Sequence, residues 1–160
     1  MAPLVESLTA GFGAALGFAA LYVTSQALTQ VPGEIKCMCP PLGAVAVLLF
    51  CLPNAPASSA KAVILGHLVG GAAAIGVNQV LDKGDPMAPG AAVALAITGM
   101  KLFDCVHPPA AAYAFFAAVQ GFIHPKNVLF PGLLGAVVLV AVQKVYLAIV
   151  GDGKPKAKAA

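Results

Sequence analysis

The chain has 160 residues, of which 60% are hydrophobic and only 9% are charged, and its mean hydropathy is +0.92. Soluble domains carry about 25% charged residues, so this composition excludes a water-soluble fold and predicts a protein embedded in the lipid bilayer. The net charge of +3 comes mainly from lysines in the tail, Lys154, Lys156 and Lys158, which leaves no basic face for nucleic-acid binding.

The first half of the chain contains two segments long enough to cross a membrane and a shorter one between them. Residues 8–28 and 62–81 are uncharged. A helix rises 1.5 Å per residue, so each of them can cross a hydrocarbon core of about 30 Å. The intervening residues 40–52 reach only about 20 Å as a helix. We predict that they form either a half-helix starting at Pro40 and Pro41 or a short tilted span.

The second half repeats this order with a break. Residues 88–106 are long enough to span, but Lys101 and Asp104 lie in the last turns. The prolines after His107 disfavour helical geometry at the preceding residue. We therefore expect the helix to break there, a short helix to begin at Pro108, and a final span to cover residues 128–150.

These segments predict an all-α membrane protein with four full transmembrane helices and two short helices that each begin at a Pro-Pro pair. Residues 1–153 would form one multi-pass membrane domain, followed by a lysine-rich tail over residues 154–160. The stretches "CMCPPLGAVAVLLF" and "CVHPPAAAYAFFAA" begin 68 residues apart, at Cys37 and Cys105, and share one pattern. The similarity indicates an internal repeat with halves 8–81 and 88–150, and coincidence between sequences rich in small residues is the alternative.

The paired prolines indicate where an anion could bind. Proline is favoured in the first turn of a helix, where an N–H group would have no intrahelical partner. If the starts at Pro40–Pro41 and Pro108–Pro109 meet inside the protein, free N–H groups and positive dipole ends converge on one point. Helix starts of this kind bind anions, and broken helices near the midplane hold transporter substrates.

Four polar side chains are further candidates for this site. His107 could donate to an anion or, when protonated, drive proton-coupled uptake, and its alternative role is to cap carbonyl groups at the break. Lys101 and Asp104 share a helix face, where they could neutralise each other and line an entrance, unless both extend to the membrane surface. His67, in "GHLVGG", is better suited to hydrogen bonding across a helix interface than to substrate binding.

Convergence of the two helix starts would also create a candidate metal site. Three thiols and an imidazole form a zinc-type ligand set, which here would consist of Cys37, Cys39, Cys105 and His107. The Cys-x-Cys spacing is tighter than in usual structural zinc motifs, so buried cysteines without a metal are the favoured interpretation. The sequence has no nucleophile elbow and no phosphate-binding loop, so we expect neither an enzyme nor a cofactor.

The stretch "HPPAAAYAFF", in register with the earlier blocks "GAVAVLLF" and "GHLVGG", resembles the HPP family of integral membrane proteins over residues 8–150. The resemblance implies a small multi-pass protein whose characterised plastid and cyanobacterial relatives move nitrite across membranes. Family members commonly have a Gly-Ala-Thr-like sequence after the prolines, where this chain has Ala110, Ala111 and Ala112. A plastid membrane is the expected location, with a bacterial inner membrane as the alternative.

Two functions from different classes follow. The first is a transporter or channel for a small inorganic anion such as nitrite, working as a homo-oligomer because one protomer has few helices with which to surround a pore. The second is a non-transporting accessory subunit of a larger membrane complex, such as a photosynthetic complex, that uses small-residue helix faces for packing.

Overall fold

A computed structural model describes residues 2–28 and 37–151, and all regular structure in that part of the chain is helical. The helices are α1 (Ala2–Leu28), α2 (Pro41–Cys51), α3 (Ala60–Asn78), α4 (Ala88–Leu102), α5 (Pro108–Val119), α6 (Lys126–Val128) and α7 (Leu134–Val150). A 3₁₀ turn, Pro56–Ser58, precedes α3, and the segment Leu129–Leu133, which is kinked at Phe130 (φ −125°, ψ 138°), joins α6 to α7. The all-α prediction is confirmed, while the lysine-rich tail lies outside the described residues.

The prediction of four full transmembrane helices is wrong by one. Within the described ranges, 3 helices are long and apolar enough to cross a membrane: Pro3–Leu28, Ala60–Asn78 and Lys126–Val150. The fourth predicted span corresponds to α4, which has only 15 residues and rises about 22 Å, short of the hydrocarbon core of about 30 Å.

The early end of α4 has a local cause. Asp104 has a φ of +48°, a left-handed conformation that aspartate tolerates better than most residues. The N–H of Cys105 donates to the carbonyl of Met100 at 2.9 Å, and the N–H of Asp104 donates to that of Lys101 at 3.3 Å. This pair of bonds is a Schellman motif, which closes the helix and turns the chain toward His107.

Serine side chains define the connection between α2 and α3. Ser58 is buried, and its hydroxyl donates toward the carbonyl oxygens of Leu48 at 2.9 Å and Leu52 at 2.7 Å, where α2 ends. Ser59 caps α3 by accepting a hydrogen bond from the N–H of Ala62 at 3.2 Å. The 3₁₀ turn between these elements is therefore fixed to both helices.

Helix α3 lies between two groups of helices. It packs against α4 and α5 on one side and also contacts α6 and α7. One buried cluster is formed mainly by α1, α2 and α7 and includes Leu42, Leu49 and Leu139. The other is formed by α3, α4 and α5 and consists largely of alanines, whose small side chains allow the helix backbones to approach closely.

The two short helices lie side by side in opposite directions. The start of α2 borders a groove whose other wall is the middle and end of α5, with lining residues Pro40, Pro41, Ala44, Ala112, Phe115, Phe116 and Val119. At the other end, Ala57, which follows α2, contacts His107 at the start of α5. Each half contains a short helix followed by a long segment, but the second half opens with the short α4 where the first half opens with the long α1. A common origin by duplication stays a prediction.

Candidate functional site at the His67 and His107 side chains

His107 occupies the break between α4 and α5. It is the N-cap residue of α5, with extended backbone angles (φ −138°, ψ 101°) that the following proline favours. Its side chain is completely buried, and its ring Nδ1 lies 2.7 Å from the carbonyl oxygen of Ala57. Because a carbonyl oxygen only accepts, Nδ1 carries the hydrogen in this bond.

His67 lies on the neighbouring helix α3, and its ring, like that of His107, forms a hydrogen bond from Nδ1 to a backbone carbonyl oxygen. It is completely buried in α3, and its Nδ1 lies 2.8 Å from the carbonyl oxygen of Val63, one turn earlier. The centroids of the His67 and His107 rings are 5.3 Å apart, with ring planes tilted by 49°. The sequence prediction gave His67 a packing role, but the structure places it directly beside the residue favoured for substrate binding.

The second ring nitrogen of each histidine distinguishes this pair from ordinary buried histidines. Both Nε2 atoms are buried and have no hydrogen-bond partner among the described residues. Since buried polar groups are usually paired, two such atoms on neighbouring rings need an explanation. The capping role considered for His107 accounts for its Nδ1 and leaves its Nε2 unexplained.

Two glycines of α3 allow the histidines to approach each other. A Cβ atom at Gly66 would lie 2.9 Å from Cβ of His107 and 3.3 Å from the carbonyl oxygen of Cys105. One turn later, a Cβ atom at Gly70 would lie 2.5 Å from the carbonyl oxygen of Ala110. Glycine at both positions lets the start of α5 rest on the backbone of α3, and this brings His107 to His67.

Tyr113 forms another wall of the site, which the sequence analysis did not identify. Its ring is completely buried, with its centroid 5.7 Å from that of His67. Its hydroxyl donates to the carbonyl oxygen of Asn127 at 2.7 Å, and Gly132 packs against its ring. Its position six residues after His107, about 1.7 turns along a helix, does not place the two residues on one helix face, so this spacing did not indicate the contact.

The Pro-Pro pairs do not provide the predicted converging N–H groups. Pro108 and Pro109 have no N–H, and the N–H of Ala110 donates to the carbonyl of His107 at 2.9 Å. At the start of α2, Leu42 and Gly43 donate to Cys39 and Pro40, each at 3.1 Å. Because α2 and α5 run in opposite directions, Pro40 and Pro41 lie near the end of α5 and away from His107.

The proposed partnership of Lys101 and Asp104 is also wrong. The Asp104 carboxylate pairs with Nζ of Lys61 at 3.1 Å. The left-handed turn at Asp104 takes its side chain off the helix face it would otherwise share with Lys101. The Lys61 and Asp104 side chains are 54% and 99% exposed, and Lys101 is exposed as well, so these charges lie at the surface of the bundle.

The four-ligand metal site is not assembled. In the described ranges, no group of three or more His, Cys, Asp or Glu side chains could hold a metal ion. Cys37 and Cys39 pack in the cluster of α1, α2 and α7, whereas Cys105 packs in the cluster of α3, α4 and α5. The separation follows from the two helix starts lying apart.

The fold and the site together define an α-helical integral membrane protein with a pair of imidazoles buried in its bundle. The chain belongs to the HPP family, since the family model described as "HPP, transmembrane region" matches residues 1–155. This confirms the family expected from "HPPAAAYAFF" and its neighbouring blocks. No curated protein and no solved structure is significantly similar to the chain.

Proposed function

We propose that the protein transports a small inorganic anion, with nitrite as the first candidate, and that the anion binds between the His67 and His107 side chains. The observation that carries the proposal is the pair of buried Nε2 atoms, on rings 5.3 Å apart, that have no hydrogen-bond partner within residues 2–28 and 37–151. Leaving a buried polar atom unpaired costs about 1–3 kcal/mol of free energy. A bound ligand that forms hydrogen bonds at these atoms would offset that cost.

The position of the pair supports a transport role. His107 lies at the break between α4 and α5, and His67 lies within α3, which is long and apolar enough to cross a membrane. Ionisable side chains inside membrane segments are costly and commonly mark the path of an ion or substrate. The nitrite preference and a plastid location come from the family resemblance and remain parts of the proposal.

The test is uptake of nitrite, nitrate, formate and chloride into proteoliposomes containing the purified protein, with and without a pH gradient. We expect flux that is selective among these anions and that His107→Ala reduces at least tenfold. His124→Ala is the matched control, because His124 is exposed and lies outside the site, and it should transport as the unmodified protein does. Equal flux in the two variants, with both correctly folded, would reject this site.

An accessory role in a larger membrane complex is the second candidate. It is favoured by α1, in which only 17% of the most hydrophobic window is buried within the protomer. Such a helix offers a long apolar face to lipid, to a second copy or to another subunit. Extraction in mild detergent separates the candidates: migration with a large assembly, without anion flux from the purified protein, would favour the accessory role.

A further inference from the structure

The hydrogen-bond donors around the paired histidines are already committed to protein acceptors. Nδ1 of His67 donates to Val63, and Nδ1 of His107 donates to Ala57. The start of α5 offers no free N–H up to Ala110, which donates to the carbonyl of His107. The Tyr113 hydroxyl donates to the carbonyl of Asn127. An anion, which only accepts hydrogen bonds, therefore finds no donor in this set.

The other titratable and charged groups on the surrounding elements do not fill this gap. On α3 and the α4–α5 connection, Lys61 and Asp104 pair with each other at the surface. Cys105 is buried beside Gly66 and has only a weak thiol donor. Cys39 belongs to the same buried cluster as Tyr113. The lysines on α4 and α6, Lys101 and Lys126, are exposed.

The remaining variable is the proton on Nε2. When Nδ1 carries the only ring hydrogen, Nε2 is an acceptor and repels an anion. Adding a proton to Nε2 creates an N–H donor and a positive charge in one step. A buried imidazolium alone is costly, as is a buried anion alone, but the two together are neutral and hydrogen-bonded.

We propose that the site binds its anion only together with one proton, carried on Nε2 of His67 or His107, so that transport is symport of one anion with one proton. The proton comes from water on the side where the anion enters and leaves with the anion on the other side, which returns the imidazole to its neutral form. A second proton is disfavoured because two like charges would share one buried site. This inference rests on the proposed function.

The first test is calorimetric titration of the purified protein with nitrite in two buffers of different ionisation enthalpy, which counts the protons taken up on binding. We expect one proton per nitrite. At pH values at which both imidazoles of the free protein are neutral, the affinity for nitrite should fall about tenfold for each unit by which the pH rises. The double variant H67Q/H107Q should take up none, whereas H124Q should match the unmodified protein. Proton uptake that persists in a folded double variant, or an affinity independent of pH, would overturn the inference.

The second test is nitrite flux into proteoliposomes while the membrane potential is clamped at different values, with protein-free vesicles measuring leakage of the neutral acid. Symport of one anion and one proton moves no net charge, so flux should follow the pH gradient and not respond to the potential. Flux that carries net negative charge would overturn the inference and leave the proposed transport intact. Proton-linked binding without flux would reject transport and leave co-binding supported, and absence of both binding and flux would reject the two proposals together.

Discussion

Gly70 of α3 faces Ala110 of α5 so closely that a Cβ atom at Gly70 would lie 2.5 Å from the Ala110 carbonyl oxygen. The obstructing atom belongs to the backbone at the start of α5, so it cannot move aside as a flexible side chain could. This contact, together with the one at Gly66, fixes the distance between the helices that carry His67 and His107.

Gly70→Ala should therefore force α3 and α5 apart and destabilise the protein by about 1–3 kcal/mol, as overpacking of a tight core does. The matched control is Gly76→Ala on the same helix, where an added Cβ would meet nothing within 4 Å. The control should be neutral or gain up to about 1 kcal/mol, because alanine favours helix over glycine. Thermal unfolding in detergent measures both, and equal stability of the two variants would contradict the described contact.

Ser58 should contribute to the stability of the turn that holds His107. Its buried hydroxyl donates to carbonyl groups at the end of α2. Ser58 directly follows Ala57, whose carbonyl oxygen accepts a hydrogen bond from His107. Ser58→Ala should cost about 0.5–1.5 kcal/mol by removing the hydroxyl donor, while the carbonyl groups of Leu48 and Leu52 keep their backbone donors, the N–H groups of Leu52 and Ala55. Ser7→Ala is the control, since the Ser7 hydroxyl bonds the Pro3 carbonyl at an exposed position. A Ser58 variant as stable as the Ser7 variant would count against this role.

Tyr113 should stabilise the site through its hydroxyl as well as its ring. Tyr113→Phe keeps the ring contact with His67 and removes the donor to the Asn127 carbonyl. A net loss of about 1–2 kcal/mol is expected for one partly buried hydrogen bond. Tyr22→Phe provides the comparison, because Tyr22 is 55% exposed. Denaturant or thermal unfolding measures the stability of both variants. Equal stability of Tyr113→Phe and Tyr22→Phe would refute the contribution of the Tyr113 hydroxyl.

The ion pair between Lys61 and Asp104 should have little effect on stability. Exposed pairs are screened by solvent and salt and often contribute nothing measurable. Asp104→Asn and Lys61→Met should therefore unfold at nearly the same temperature as the unmodified protein. Both should also retain anion flux if the binding site is confined to the buried histidines. A large loss of flux in either variant, with the fold intact, would restore the entrance role expected from the sequence.

Local features of the fold could be predicted because they depend on neighbouring residues. The prolines after His107 prevent a continuous helix, and the apolar lengths identify α1, α3 and the segment Lys126–Val150 as spans. The length of α4 was overestimated because the left-handed conformation of Asp104 ends the helix early. Apolar length alone does not encode such a turn.

The site itself could be predicted only in part because it depends on contacts between distant segments. The break at His107 was visible in the sequence, but its bond to Ala57 joins residues 50 positions apart. Likewise, the pairing of Lys61 with Asp104 spans 43 positions and displaces the expected partner Lys101. The opposite directions of α2 and α5 separate Pro40 and Pro41 from His107, which pattern matching between the two halves could not indicate.

The most direct measurement of the central claim is the initial rate of nitrite uptake by proteoliposomes containing His67→Gln, compared with the unmodified protein and with His124→Gln. His67 makes no contact with solvent, and its involvement follows from its buried Nε2 atom, which has no hydrogen-bond partner among the described residues, and from its position beside His107. If the two imidazoles form one anion site, the His67 variant should fold normally and lose at least tenfold of its uptake while the His124 variant loses none. Full uptake by a folded His67 variant would contradict the account.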